Sequence, residues 1–495
     1  MRAVTFIKRI EFEFTGNIAR KALTLGDIDN DGYNELIVGN QNGVVSIFKG
    51  EEKIQTISKL NFISCVAVGD IMNQNQNVLI IITADGWCYL YAYPETSSNN
   101  TDQAVEEVDG PLQSLSVSEG TEAFRNVDVS STPSPAYKKV KAELICIHEQ
   151  RIPANTKDIV IGDIDGDGNV EMVLGLTDRV VRSYKWISNQ NLSPLNISGI
   201  SGQFDPSHKI LGKFVAVNKW ECANQIGSIT LHHALDGTPS ILIAQPGGTF
   251  MRIKCQFDDI TAEECLESSI RSNSSSSSTT ENISSSIDYQ FLGISRMRNQ
   301  NISTEILGDL QCSQYNNVEN FEASQEGSTA KGKPYALATL DGTIMLVQDE
   351  VILWAIAVDH QLFALTKLDV TGNGSDDIVA CSWDGETYIL DQAKNSVRFH
   401  LGEAVQAFHS GYYNINLNAP DVTCFVYVNF KNTVIIYYDL PIKELTCTTF
   451  VPDLVKMSEI FRRDDQNPEE ALEIVENFDR KQRRELVEYL LYNVN

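Results

Sequence analysis

Asp27, Asp29 and Asp31 stand at alternate positions in GDIDNDGYNELIVG (residues 26–39), followed by Gly32 and Glu35. Alternate carboxylates ahead of a glycine suit a hard cation, because their oxygens converge on one point while the glycine takes the sharp bend. An EF-hand is excluded. The twelfth position counted from Asp27 is Val38, where a bidentate glutamate is required, and ELIVG (35–39) is an apolar, β-rich run closed by glycine rather than a helix. The loop therefore joins two strands. Two chemistries remain open for it. A Ca²⁺ or Mg²⁺ ion would relieve the repulsion of the converging carboxylates; alternatively the aspartates accept backbone N–H groups in Asx-turns and stay solvated.

The same pattern recurs. GDIDGDGNVEMVLG (162–175) repeats it with Asp163, Asp165, Asp167 and Glu171, and LDVTGNGSDDIVAC (368–381) keeps Asp369, Asn373 and Asp377 but has Thr371 at the middle position. A further copy, GDIMNQNQNVLIII (69–82), has the Gly-Asp entry but Met72 and Gln74 in place of carboxylates. The candidate metal ligands are thus Asp27, Asp29, Asp31 and Glu35, then Asp163, Asp165, Asp167 and Glu171, with a weaker set at Asp369, Asn373 and Asp377. A frame that survives without its ligands is structural, so any ion would be a structural Ca²⁺ or Mg²⁺ rather than a catalytic one.

Each acidic turn lies between two apolar strands, and a short glycine turn leads to a third: ALTLG, ELIVG and VVSIFKG in the first copy. Three looser copies fit the same template at 228–253, 305–347 and 406–438, which makes seven units. A small antiparallel sheet repeated seven times, unable to bury both faces alone, predicts an all-β, seven-bladed β-propeller. The run VTFIKRIEFEF (4–14) alternates as a strand does and is expected to supply the missing strand of the last blade, closing the ring. The propeller is expected over residues 1–440. Three polar segments, 95–135, 258–290 (with SNSSSSSTTENISSS) and 311–333, have too few apolar residues for a core and read as disordered insertions. From Asp453 the strand pattern stops. Asn467-Pro468-Glu469-Glu470 is a helix start, and Leu472, Val475, Phe478, Leu486 and Leu490 follow at helical spacing, giving a short helical tail within 453–495.

The chain has 495 residues, 42% of them apolar, and a formal net charge of −27. That charge opposes direct binding to nucleic acid or anionic lipid. The start MRAVTFIKRIEFEF has no apolar signal core, and the longest apolar run, VLIIITA (78–84), is too short to span a bilayer, so a cytoplasmic location without direct membrane insertion is expected. The ten cysteines show no zinc spacing, and Cys65, Cys88, Cys381 and Cys424 fall inside strand patterns as reduced core residues.

The Asp-rich turn followed by a strand resembles the FG-GAP repeat of integrin α-subunit propellers. IPANTK (152–157), IGDIDGDG (161–168), TDRVVR (177–182), VDHQLFAL (358–365), KLDVTGNG (367–374) and WDGETYILD (383–391) more specifically resemble the FG-GAP proteins of the KICSTOR complex, over about residues 1–440. That resemblance implies a non-enzymatic scaffold subunit. Its partners would be a kaptin-like propeller subunit and the larger KICSTOR subunits. The assembly would sit on the lysosomal surface through those partners, recruit the GATOR complex and restrain TOR kinase signalling when nutrients are scarce. Two other classes share the repeat. An integrin-like adhesion receptor or other extracellular ligand-binding module would need a signal peptide, a membrane span and paired cysteines. An accessory propeller of a hydrolase would need a nucleophile beside a base, and His232-His233 is the one histidine pair.

Overall fold

In a computed structural model, the described residues are 1–94, 143–188, 212–256, 284–291, 301–313, 332–440 and 442–446, less positions 235, 417 and 418, with 477–479, 481, 482 and 484 near the C-terminus. The insertion expected at 95–135, most of the other two, and nearly all of the expected helical tail lie outside them.

Seven sheets follow one another along the chain. The first blade is β3 (Leu23–Gly26), β4 (Glu35–Gly39), β5 (Val45–Lys49) and β6 (Glu52–Ile57); the second is β7 (Ile63–Gly69), β8 (Val78–Thr83), β9 (Trp87–Ala92) and β10 (Ile145–Arg151). The third is β11 (Thr156–Gly162), β12 (Glu171–Leu176), β13 (Val180–Ser188) and β14 (Gly212–Glu221), and the fourth β15 (Ile229–His233), β16 (Pro239–Gln245), β17 (Thr249–Gln256) and β18 (Ser284–Phe291). The fifth is β19 (Thr304–Leu307), β20 (Tyr335–Thr339), β21 (Thr343–Gln348) and β22 (Val351–Ala357). The sixth comprises β23 (Leu362–Leu368), β24 (Asp377–Ser382), β25 (Glu386–Leu390) and β26 (Ser396–His400), and the seventh β27 (Val405–Tyr413), β28 (Val422–Asn429) and β29 (Thr433–Tyr438). The first strands of neighbouring blades touch in sequence and β27 returns to β3, so the ring of the seven-bladed propeller is closed.

The pattern of apolar residues follows from position in the blade. The second strands, such as β4, β8, β12 and β24, are buried at every residue because each blade is covered on both faces by its neighbours. They therefore read as continuous apolar runs rather than alternating ones. Outer strands alternate, β22 alternating between exposed and half-buried residues from Val351 to Ala357. The glycine turn between second and third strands is obligatory at Gly43, where φ is +77° and a Cβ would lie 1.8 Å from the Leu60 carbonyl oxygen.

Closure differs from the sequence expectation in one respect. The N-terminal run forms two strands, not one. β1 (Arg2–Val4) adds in parallel to β26, making the sixth blade five-stranded, and β2 (Arg9–Glu13) pairs antiparallel with β29 to complete the seventh. Between them Phe6 is buried against Phe399 and Phe425, with ring centroids 4.8 and 5.7 Å away. One short segment thus ties two blades together, and residues such as Lys8 mark the crossing. A second difference lies in the Ser-rich stretch: residues 284–291, expected inside a disordered insertion, form β18 and pair along β17. An outermost strand needs few apolar residues, which is why composition concealed it. The compact unit extends to Leu445, since Ile442 and Leu445 are buried against the sixth and seventh blades; Thr446–Asn495 forms a separate unit. Cys65, Cys88, Cys381 and Cys424 are buried and unpaired, as small core residues.

Candidate functional site

The first aspartate of each turn makes one backbone bond that all four copies share. Oδ2 of Asp27, Asp70, Asp163 and Asp369 accepts the N–H five residues on, from Gly32, Asn75, Gly168 and Gly374, at 2.9, 2.7, 2.9 and 2.8 Å. The Asp70 copy does this with no other carboxylate in the loop. That aspartate therefore builds the turn, and the chemistry of a ligand rests on the remaining acids.

In the first loop Asp27, Asp29 and Glu35 offer oxygens within 4.8 Å of one another. Glu35 is wholly buried at the start of β4, where its Oε2 accepts the Ile28 N–H at 3.0 Å. The centre of this cluster is taken by a side chain of the protein itself. Lys49 Nζ lies 2.6 Å from Asp29 Oδ2, 2.6 Å from Asp31 Oδ2 and 2.6 Å from Glu35 Oε1. Leu36 faces Phe48 across β4 and β5, which brings Glu35 and Lys49 to the same level. Burial pushes the Glu35 carboxyl up to about 7, against the pull of Lys49. Burial would lower Lys49, but its bonds to Asp29, Asp31 and Glu35 outweigh that and raise it.

The second loop has the same parts in a looser arrangement. Asp163, Asp165 and Glu171 converge within 4.8 Å, and Glu171 Oε2 accepts the Ile164 N–H at 3.1 Å. Lys185 stands opposite Glu171 as Lys49 stands opposite Glu35, but it pairs with Asp167 and remains 3.7 Å from Glu171 Oε1. Asp165 Oδ2 and Glu171 Oε1 are buried with no hydrogen-bond partner. Burial, together with the neighbouring carboxylates Asp165 and Asp167, pushes Glu171 up to about 8. Two buried carboxyl oxygens without hydrogen-bond partners are a fit for a hard cation, which Asp163, Asp165 and Glu171 would hold; in the first loop Lys49 already stands against Asp29, Asp31 and Glu35.

The third loop gathers less. Asp377 Oδ2 accepts the Val370 and Thr371 N–H groups at 3.0 and 3.2 Å, Asn373 Oδ1 accepts Ser375 N–H at 2.8 Å, and the cross-strand position is Asp391, which is turned back onto Asn395. Its side chains serve their own turns. Across the four copies the cross-strand pair is Glu35 and Lys49, Val78 and Ala92, Glu171 and Lys185, Asp377 and Asp391. The two lysines were missed from the sequence, although each lies fourteen residues after its glutamate.

The histidine pair is a clamp between blades. His233 Nδ1 is 2.5 Å from Asp309 Oδ2, His232 Nδ1 is 3.3 Å from Asp309 Oδ1, and the His233 N–H donates to Oδ1 at 2.7 Å. Burial would raise Asp309, but the bonds from His232 and His233 outweigh it and hold the carboxyl well below the usual range. In VDHQLFAL, Leu362 and Phe363 are core residues, and His360 pairs with Asp384 at 2.5 Å, so that word is largely structural. Among the described residues no helix is long and apolar enough to cross a membrane.

Comparison with known proteins adds three findings. The family described as integrin-alpha FG-GAP repeat-containing protein 2 matches residues 51–442, and the FG-GAP repeat matches residues 21–48. Two curated relatives, from Mus musculus and Bos taurus, are both named KICSTOR complex protein ITFG2. The mouse protein is 32% identical over 91% of this chain and 88% of its own length, the bovine one 31% identical over 91% and 74%. Among solved structures, BBS1N in complex with ARL6DN, soaked with lead, covers 89% of this chain and 98% of that one at 12% identity and a TM-score of 0.50, a likeness of fold alone.

Proposed function

The chain belongs to the integrin-alpha FG-GAP repeat-containing protein 2 family, and on that premise we propose that it is a non-enzymatic scaffold subunit of a KICSTOR complex. The observation that carries the reading is identity of 32% with a KICSTOR protein, spread over 91% of the chain rather than confined to the acidic turns. The geometry supports a scaffold: histidines and carboxylates are engaged in clamps and turns that hold blades together, and a rigid disc offers surfaces to other proteins.

The finer reading is that the subunit pairs with a kaptin-like propeller subunit, helps recruit the GATOR complex to lysosomes and so restrains TOR kinase signalling when nutrients are scarce. It would reside in the cytoplasm and reach the lysosomal surface through its partners, which suits a chain of net charge −27. The surface best suited to a partner propeller is the edge of the fifth blade. Among the described residues β22 pairs with β21 alone and presents Val351 and Leu353, 62% and 46% exposed, whereas the adjacent sixth blade has its edge covered by β1. A partner strand could extend that sheet and cover the apolar row. A structural Ca²⁺ or Mg²⁺ in the second acidic loop completes the proposal.

Affinity purification of the tagged full chain, of Leu353→Asp, and of a version ending at Leu445 tests it. Recovery of KICSTOR and GATOR subunits with the full chain and with the shortened one, and their loss with folded Leu353→Asp, is the expected result. Absence of those subunits from the full-chain sample, in cells that express them, would overturn it.

A further inference from the structure

The first strands of six blades, with Gly227 just ahead of the fourth blade's, line a cavity of about 530 Å³ in the middle of the ring. Its charges are unequal. Arg20 and Lys21 enter it from the segment before β3, and Lys157 enters from β11. Arg20 Nη1 is matched by Glu305 Oε1 at 3.2 Å and by the Phe363 carbonyl at 2.8 Å. Lys21 Nζ is matched by Asp158 Oδ1 at 3.1 Å. Lys157 donates to the Ile226 carbonyl, and among the described residues no carboxylate lies within ion-pair distance of it.

Neither acid is available to neutralise it. Asp158 already accepts the Ile159 and Ile229 N–H groups at 2.9 and 2.8 Å besides Lys21, and Glu305 is engaged by Arg20. His409, on the same wall, is held neutral: burial, and then the Lys21 charge, push it down to about 4. Among the described residues the cavity therefore holds one positive charge that no carboxylate pairs with, inside a molecule whose net charge is −27. Burial lowers Lys157 from its ordinary value, and the more distant charges of Glu305 and Asp158, opposed by those of Arg20 and Lys21, do not restore it. A cation in that position costs stability, and an apolar residue of similar length would fill the space without the cost.

We propose that the central cavity binds one oxyanion, a carboxylate or phosphate, at the Lys157 ammonium, with Phe363, Leu365 and Phe408 accommodating an apolar body beside it. The volume suits a small molecule, and walls that are mainly apolar around a few placed charges are the usual composition of such sites. The same chemistry could be supplied by a free metabolite or by an acidic side chain of an inserted peptide.

The test is thermal denaturation and calorimetry of the full chain at fixed ionic strength with inorganic phosphate, hexanoate, or a capped Gly-Leu-Asp-Gly peptide. A saturable rise in Tm with at least one probe is expected, lost in Lys157→Met and kept in Lys219→Met on the outer strand β14. Phosphate or hexanoate acting alone assigns a free anion, and the peptide acting alone assigns a side chain. Without any probe, Lys157→Met should melt above the wild type, because it removes an uncompensated charge. Glu305→Gln, which increases the positive excess, should tighten binding several-fold and serves if Lys157→Met fails to fold. Equal responses in wild type and Lys157→Met, an equal response to chloride, or no response to any probe would overturn the proposal.

Discussion

Asn30 and Asn77 hold the first two blades together by a reciprocal amide clip: the Asn77 N–H donates to Asn30 Oδ1 at 2.8 Å while Asn30 Nδ2 donates to the Asn77 carbonyl at 3.2 Å. The next pair of blades repeats it with Asn73 and Val170, at 2.7 and 3.3 Å. Asn30 and Asn73 occupy the same place in their turns and have φ of 59° and 56°, a conformation that asparagine tolerates better than most residues. The acidic turn thus works as a coupling between blades whether or not it carries ligands. Asn30→Ala should lower stability by about 1–2 kcal/mol, through two lost bonds and a strained backbone. Urea denaturation checks this, and an unchanged midpoint would refute the clip as an energetic feature.

Lys49 is expected to be indispensable to the first loop in the absence of divalent ions. Lys49→Met leaves Asp29, Asp31 and a buried Glu35 without their counter-charge, at a cost of about 3–5 kcal/mol. Millimolar Ca²⁺ should restore part of that loss by binding where the ammonium was. Chemical denaturation with Ca²⁺ and with chelator reads both effects; a variant as stable as wild type in chelator would show that the lysine does not neutralise the cluster.

The second loop should be the calcium-responsive one. Ca²⁺ at a hundredfold excess over its Kd would stabilise the wild type by about 2.7 kcal/mol. The shift should vanish in Asp165→Ala and persist in Asp29→Ala, because Lys49 lies 2.6 Å from Asp29 and Glu35 in the first loop whereas Lys185 remains 3.7 Å from Glu171 in the second. Equal shifts in both variants would sink the assignment.

His409 should make stability depend on pH on the acid side of neutrality. Its folded value is about 4, below its ordinary value of 6.5, so the unfolded chain binds the extra proton between those limits. The contribution is fully present above pH 6.5 and is lost as pH falls towards 4, amounting to about 3 kcal/mol at most. His409→Asn should flatten that part of the curve. The comparison is of urea midpoints at pH 7 and pH 4.5, and parallel curves would remove His409 from the account.

The turn repeated in four units and the apolar runs of the second strands were enough to specify seven blades, because each second strand is covered on both sides and is therefore largely apolar, as VLIIIT in β8 is. Local rules also sufficed for the turn itself, where one aspartate satisfies backbone groups five residues on. Strands that need little burial escaped: SSSIDYQF reads as a linker by composition, yet it is β18. What only the tertiary structure decided is which charges meet. Glu35 and Lys49 are neighbours because antiparallel pairing fixes their register, and Arg20, Lys21, Lys157 and Glu305 share one cavity because the ring closes. Sequence spacing carries the periodicity of a strand, whereas a charge is neutralised or left exposed by distances across strands and blades, and those are set by closure of the circle.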